Sequence, residues 1–116
     1  MKRLAVFTIT LAVLSILGAN YLTEAQEGAS NAPPATVEVK IDNFSFGPNE
    51  LKVAAGTTVT WTNRDDIPHT VVSNDGVFKS KVLDTDEKYS FTFSKAGTYP
   101  YFCSIHPKMV GKVVVQ

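Results

Sequence analysis

The 116-residue sequence predicts an all-β domain, built as a small antiparallel sandwich or barrel of about seven short strands. Apolar and polar residues alternate with a period of two, not 3.6, in segments such as "TVEVKID" and "TTVTWTN". Turn sequences, among them "FGPNE", "AAGT", "SNDGV" and "KAGT", separate these segments. No segment shows a convincing amphipathic helical pattern, so the strands must pack against one another.

The predicted strands follow one another from Thr36 to the end of the chain. In the first, Val37, Val39 and Ile41 share one face, as expected of a strand with one side in a core. We expect Trp61 to be buried in the same way. Residues 74–88 could hold a loop, a short strand or one helical turn. The predicted strands are "TVEVKID", "ELKVAAG", "TTVTWTN", "HTVVS", "YSFTFS", "TYPYFC" and "GKVVVQ".

The N-terminus has the pattern of a secretory signal peptide. Two basic residues, Lys2 and Arg3, precede an uncharged and mostly apolar run over residues 4–17. This run is shorter than the roughly 20 residues of a membrane span. We therefore expect an exported, periplasmic or otherwise extracytoplasmic protein, and an uncleaved segment would instead anchor it to a membrane. The predicted organisation is a signal peptide at 1–25, a linker at 26–35 and one folded domain at 36–116.

Charge points to no particular class of partner. Removing Lys2, Arg3 and Glu24 from the 11 basic and 11 acidic residues leaves 9 basic and 10 acidic ones. Because no basic stripe is present, nucleic acid is not an expected partner. We expect a monomer.

The chain has one cysteine, Cys103, which cannot form a disulfide within the chain. His106 and Met109 follow it at equal spacing, in a C-x-x-H-x-x-M pattern, and the other histidine of the chain is His69. Two imidazoles and a thiolate with a long axial thioether are the ligands of a blue-copper electron-transfer site. A metal could also stabilise so small a domain.

Other interpretations of these residues are weaker. Structural zinc prefers four cysteine or histidine ligands, and methionine is not among its usual ones. Haem attachment requires two cysteines in C-x-x-C-H. Nucleophilic catalysis by Cys103 and a histidine lacks a visible third orienting residue. The remaining alternative is that Cys103 is an ordinary buried core residue and that His106 lies near it by chance. The chain would then be a metal-free sandwich domain that acts in adhesion or interaction.

The sequence resembles the cupredoxins, and among them the short-loop, amicyanin-like group. Two segments carry the resemblance: "VTWTNRDDIPHTV" at 59–71 and "GTYPYFCSIHPKMVGKVVV" at 97–115. It implies a Greek-key β-sandwich of about seven to eight strands that holds one type 1 copper ion and carries single electrons. It does not imply an enzyme. The main alternative function is a copper carrier that delivers the metal without redox cycling.

The resemblance also implies roles for individual residues. His69, Cys103 and His106 would be the equatorial copper ligands and Met109 the axial one. Asn63 would join the two ligand loops through a hydrogen bond to Ser104.

Pro107 has no N–H and cannot donate a hydrogen bond to the Cys103 sulfur, which favours Cu(II) and a lower reduction potential. We expect His106 to lie nearest the surface, within an apolar collar suited to transient docking of redox partners. The predicted collar consists of Ile67, Pro68, Ile105, Pro107 and Val110.

Overall fold

The computed structural model describes residues 35–116, which form eight strands in two four-stranded sheets. Strand order is β2-β1-β4-β6 in the first sheet and β3-β8-β7-β5 in the second. No helix occurs between residues 35 and 116. The predicted all-β sandwich of seven to eight strands is therefore confirmed. The strands are β1 (Thr36–Asp42), β2 (Ser45–Gly47), β3 (Glu50–Val53), β4 (Thr57–Asn63), β5 (Val72–Ser73), β6 (Lys88–Phe93), β7 (Gly97–Phe102) and β8 (Val110–Val115).

Both sheets are mixed, so the expectation of purely antiparallel pairing was wrong. Strand β1 pairs with β4 in parallel, and β3 pairs with β8 in parallel. The chain crosses to the second sheet at β3 and returns at β4, which brings β4 beside β1 in the same direction. Parallel neighbours require such a crossover instead of a hairpin. Strand β2 was also missed, because it has only three residues and two of them, Phe46 and Gly47, belong to the predicted turn sequence "FGPNE".

The core lies between the sheets and is centred on Trp61, which is fully buried as predicted. Its ring centroid lies 5.6 Å from that of Phe78 and 5.3 Å from that of Tyr101. Phe78 and Leu83 come from the undecided region 74–88, which runs as an extended loop with two isolated bridges. Both side chains are buried, so this loop covers one side of the core.

Three connections meet at one end of the sandwich. The β1–β2 turn (Asn43–Phe44) and the β4–β5 loop (64–71) adjoin because β1 and β4 end together, with Ile41 opposite Asn63. The β7–β8 loop (103–109) is tied to the β4–β5 loop by hydrogen bonds between Thr70 and Ser104. This end of the sandwich carries the candidate site.

The predicted signal peptide, and the predicted linker up to residue 34, lie outside the described residues. In the part of the chain that is described, no helix has the length and apolar character needed to cross a membrane.

Candidate metal centre

The β7–β8 loop brings Cys103 and His106 together. The amide of Cys103 donates to the Met109 carbonyl at 3.0 Å, and the Met109 amide donates to the His106 carbonyl at 2.8 Å. These bonds close a compact loop, and both of its ends continue into the paired strands β7 and β8. Within it, the Cys103 Sγ lies 3.9 Å from the His106 Nδ1.

His69 reaches the same point from the β4–β5 loop. Its backbone exchanges two hydrogen bonds with Leu83, of 3.1 and 2.8 Å, which hold the residue in an isolated bridge. The His69 Nδ1 lies 3.7 Å from the Cys103 Sγ. One ligand atom from each of His69, Cys103 and His106 lies within 4.8 Å of the other two. The structure thus brings together three of the four residues that the sequence singled out.

The four candidate ligands differ in exposure. Cys103 and His69 are fully buried, and Met109, at the end of the loop, is 5% exposed. His106 alone of the four is partly exposed, which agrees with its predicted place nearest the surface. His106 is therefore the candidate ligand that lies most open to another molecule at the surface.

The surroundings of Cys103 favour the thiolate form. Burial of the thiol raises its pKa, but the hydrogen bonds it receives outweigh this effect and lower the pKa to about 6. The largest of these comes from the Thr70 amide, 3.4 Å from Sγ, and the His69 and His106 imidazoles add to it. Cys103 is consequently ready to bind a metal at neutral pH, since the thiolate is the binding form.

Thr70, and not Asn63, joins the two ligand loops, so the expected Asn63–Ser104 hydrogen bond was wrong. The Thr70 Oγ1 accepts from the Ser104 amide at 2.7 Å and shares a 2.8 Å hydrogen bond with the Ser104 hydroxyl. Thr70 directly follows His69, and this adjacency was the signal in the sequence that could have identified it.

Asn63 instead shapes the β4–β5 loop from within. Its fully buried amide nitrogen donates to the carbonyls of Ile67 and Leu83, both at 2.9 Å. Its Oδ1 accepts from the Asp65 amide at 2.9 Å. Asn63 therefore supports His69 through the backbone of the loop and of its bridge partner.

Asp65 and Phe44 lie beside the histidines and were not identified from the sequence. The Asp65 Oδ2 lies 3.0 Å from the His69 Nε2, and this hydrogen bond, with one from the Phe44 amide, holds the pKa of Asp65 below its ordinary value. A carboxylate that receives Nε2–H leaves the Nδ1 lone pair free for a metal. Asp65 stands four residues before His69 in the sequence, whereas nothing local marks Phe44.

The donor set at this site matches copper. Two imidazole nitrogens and a thiolate converge, and a buried methionine closes the loop. Soft sulfur suits Cu(I) and imidazole serves both oxidation states. A structural zinc site needs four cysteine or histidine ligands, and among the described residues only His69, Cys103 and His106 meet at this point.

Comparison with known proteins places the chain in a family. The family model for the cupredoxin-like domain matches residues 8–115. The chain therefore belongs to the cupredoxins, whose members bind one type 1 copper, and His69, Cys103, His106 and Met109 form a plausible site for it.

Individual relatives sharpen this assignment. Amicyanin-alpha of Methylorubrum extorquens is 40% identical over 121 residues, covering 100% of both chains. Chloroplastic plastocyanin of Tetradesmus obliquus is 36% identical, covering 89% of this chain and 70% of the plastocyanin. A solved Cu(I) form of an amicyanin variant superposes with a TM-score of 0.68 at 40% identity, covering 74% of this chain and 87% of the other. These relatives indicate an electron carrier of the cupredoxin type and not an enzyme.

Proposed function

We propose that His69, Cys103, His106 and Met109 bind one type 1 copper ion, and that the chain carries single electrons between redox partners outside the cytoplasm. The observation that carries the proposal is the convergence of one ring nitrogen from each of His69 and His106 and the Cys103 sulfur within 4.8 Å of one another. Bound copper would supply one-electron cycling between Cu(II) and Cu(I). The protein supplies the positions of the ligands.

The backbone supports these positions independently of any metal. Hydrogen bonds from Cys103 to Met109 and from Met109 to His106 hold the β7–β8 loop, and the bridge to Leu83 holds His69. Because the ligands belong to hydrogen-bonded loops at the end of a packed sandwich, a change of oxidation state requires little movement. A small movement of the ligands means a small reorganisation energy, which suits rapid electron transfer.

The surface around His106 supports transient docking. Ile105 and Val110 of the predicted apolar collar are 42% and 56% exposed. Phe44 is 51% exposed and extends the collar on the side of the β1–β2 turn, in contact with the His106 ring. An exposed apolar rim beside a redox centre suits the small contacts of electron-transfer complexes. We propose that monomers dock there with their redox partners.

Export follows from the sequence pattern of residues 1–25, which has the charge and apolar run of a secretory signal. The match to amicyanin-alpha covers the whole of both chains and so includes this N-terminal segment. We propose a periplasmic or other extracytoplasmic location for the mature domain.

A redox titration tests the proposal. The full chain, loaded with one equivalent of Cu(II), should turn blue, lose its colour with ascorbate and recover it with a mild oxidant, taking one electron per copper. Cys103→Ser should abolish the colour, whereas Ser94→Ala, at an exposed position directly after β6, should leave it unchanged. Cu(I) transfer to an acceptor without a stable blue form would instead indicate a delivery protein and would contradict electron carriage.

A further inference from the structure

The turn between β1 and β2 has a strained backbone. Asn43 and Phe44 have φ angles of 51° and 57°, the left-handed values of a type I′ turn. Asparagine tolerates this region, but the second turn position usually holds glycine, and a bulky aromatic there is an outlier. Strain of this kind persists only where the surroundings impose it, and it concentrates at functional sites.

One carboxylate oxygen ties this turn to a candidate ligand. The Phe44 amide donates to the Asp65 Oδ2 at 3.1 Å, and the His69 Nε2 lies 3.0 Å from the same oxygen. Asp65 is only 8% exposed, so both hydrogen bonds are largely shielded from water. The left-handed conformation of Phe44 is therefore held by a group that also orients His69.

The Phe44 ring contacts both histidines. Its centroid lies 5.0 Å from that of His106 at an interplanar angle of 90°, and 5.8 Å from that of His69 at 89°. Both are edge-to-face contacts, the arrangement that aromatic rings prefer. The two histidines come from loops between different pairs of strands, so a single side chain of a third connection bridges both ligand loops.

We propose that the Asn43–Phe44 turn is a positioning element of the metal centre, in which the Phe44 ring sets the orientation of the His69 and His106 imidazoles and screens them from water. Asp65 clamps the turn to His69. The copper-dependent part of this inference rests on the proposed function. A purely core role does not account for a half-exposed ring, and a purely docking role does not account for contacts with both imidazoles.

Phe44→Gly separates positioning from folding, because glycine accepts the positive φ while the ring is lost. We expect the thermal midpoint of the copper-free chain to stay the same or to rise. In the same sample, the NMR NOEs from the His69 and His106 ring protons to neighbouring side chains should change, since the Phe44 ring no longer holds either imidazole in place. In the copper-loaded chain the reduction potential should fall, because water reaches the site and favours its more highly charged oxidised form.

Two variants complete the experiment. Phe44→Tyr keeps the ring and should restore the wild-type histidine NOEs, EPR spectrum and potential. Val77→Ala, at a side chain of similar exposure (44%) in the loop after β5, should change none of them. Wild-type histidine NOEs and potential in Phe44→Gly would overturn the proposal, as would an effect confined to the rate of reaction with a partner. If the wild-type chain bound no copper, the proposed function would fail, while changed histidine NOEs in the copper-free variant would still support the positioning role.

Discussion

Thr70 performs two tasks at the candidate site. Its amide donates to the Cys103 sulfur at 3.4 Å, and its hydroxyl oxygen accepts from the Ser104 amide at 2.7 Å. The backbone amide lowers the pKa of the Cys103 thiol. The side chain joins the loop that carries His69 to the loop that carries Cys103. The two tasks can be largely separated by substitution, because the amide contact survives a change of side chain, although the Thr70 Oγ1 also lies 3.8 Å from the Cys103 sulfur.

Thr70→Val keeps the shape and the amide but removes the hydroxyl. The Ser104 amide then loses its acceptor, which we expect to cost about 1–3 kcal/mol in the free energy of unfolding. Denaturant unfolding of the copper-free chain measures this cost. Thr92→Val is the matched control, because its hydroxyl bonds to Thr58 in an exposed position and its loss should change stability by no more than about 0.5 kcal/mol. Equal losses in the two variants would contradict the role given to Thr70.

Pro107 leads to a prediction about potential. Pro107→Ala introduces an N–H into the loop that carries Cys103, and a further donor to the sulfur would stabilise Cu(I). We expect the reduction potential to rise, as measured by potentiometric titration. Pro68→Ala adds an N–H to the β4–β5 loop and should shift the reduction potential less. A fall in potential for Pro107→Ala, or no change with the site intact, would count against this argument.

The ligand candidates could be named from the sequence because their chemistry is rare and their spacing is local. Cys103, His106 and Met109 lie within seven residues, and His69 is the other histidine of the chain. The residues that support them could not all be found in this way. Phe44 lies 25 residues before His69 in the sequence, and its contact with the histidine depends on how β1 pairs with β4.

At the scale of elements, the β7–β8 hairpin holds the loop that carries Cys103. Tyr101 of β7 lies opposite Gly111 of β8, and the tyrosine ring covers the glycine so closely that a Cβ there would lie 2.6 Å from its Cζ. Tyr101 is 1% exposed and packs on Trp61, so its ring has little room to move. Close packing at Gly111 therefore couples the hairpin to the core.

Gly111→Ala should force the Tyr101 ring to shift and strain the hairpin. Overpacking of this kind costs about 1–3 kcal/mol in the free energy of unfolding, which chemical denaturation can measure. Gly47→Ala is the control, because its Cβ would meet nothing closer than the Lys40 carbonyl oxygen at 3.8 Å. Equal free energies of unfolding for the two variants would contradict the claim that the Tyr101 ring leaves no room for a Cβ at position 111.

The strands illustrate what local pattern can and cannot predict. Alternation identified long strands such as β1 and β4, because one face of each is buried. It missed β2, which has only three residues, and it could not reveal the parallel pairs. Pairing direction depends on where the chain crosses between sheets, and that information is not local.

At the scale of the whole molecule, no disulfide can staple the domain, because Cys103 is the only cysteine. The loops of the candidate site meet across the end of the sandwich through side-chain hydrogen bonds. A metal bound to ligands on both loops would add a further link that the unfolded chain lacks. Copper should therefore contribute to the stability of the domain.

We expect copper to raise the thermal midpoint of the chain by more than about 10 °C at free copper well above the dissociation constant, since a thousandfold excess corresponds to about 4 kcal/mol. Thermal unfolding followed by circular dichroism, with and without copper, measures the difference. Cys103→Ala should fold but lose most of the copper-induced shift. An equal shift in this variant would mean that copper acts elsewhere on the protein.

The absorption and EPR spectra of the full chain loaded with one equivalent of Cu(II) test the central claim most directly. A type 1 centre built from His69, Cys103, His106 and Met109 predicts an intense visible band from thiolate-to-copper charge transfer and an unusually small copper hyperfine splitting. Both features should disappear in Cys103→Ser. A colourless protein with the wide hyperfine splitting of ordinary Cu(II), or a blue spectrum that survives loss of Cys103, would contradict the account.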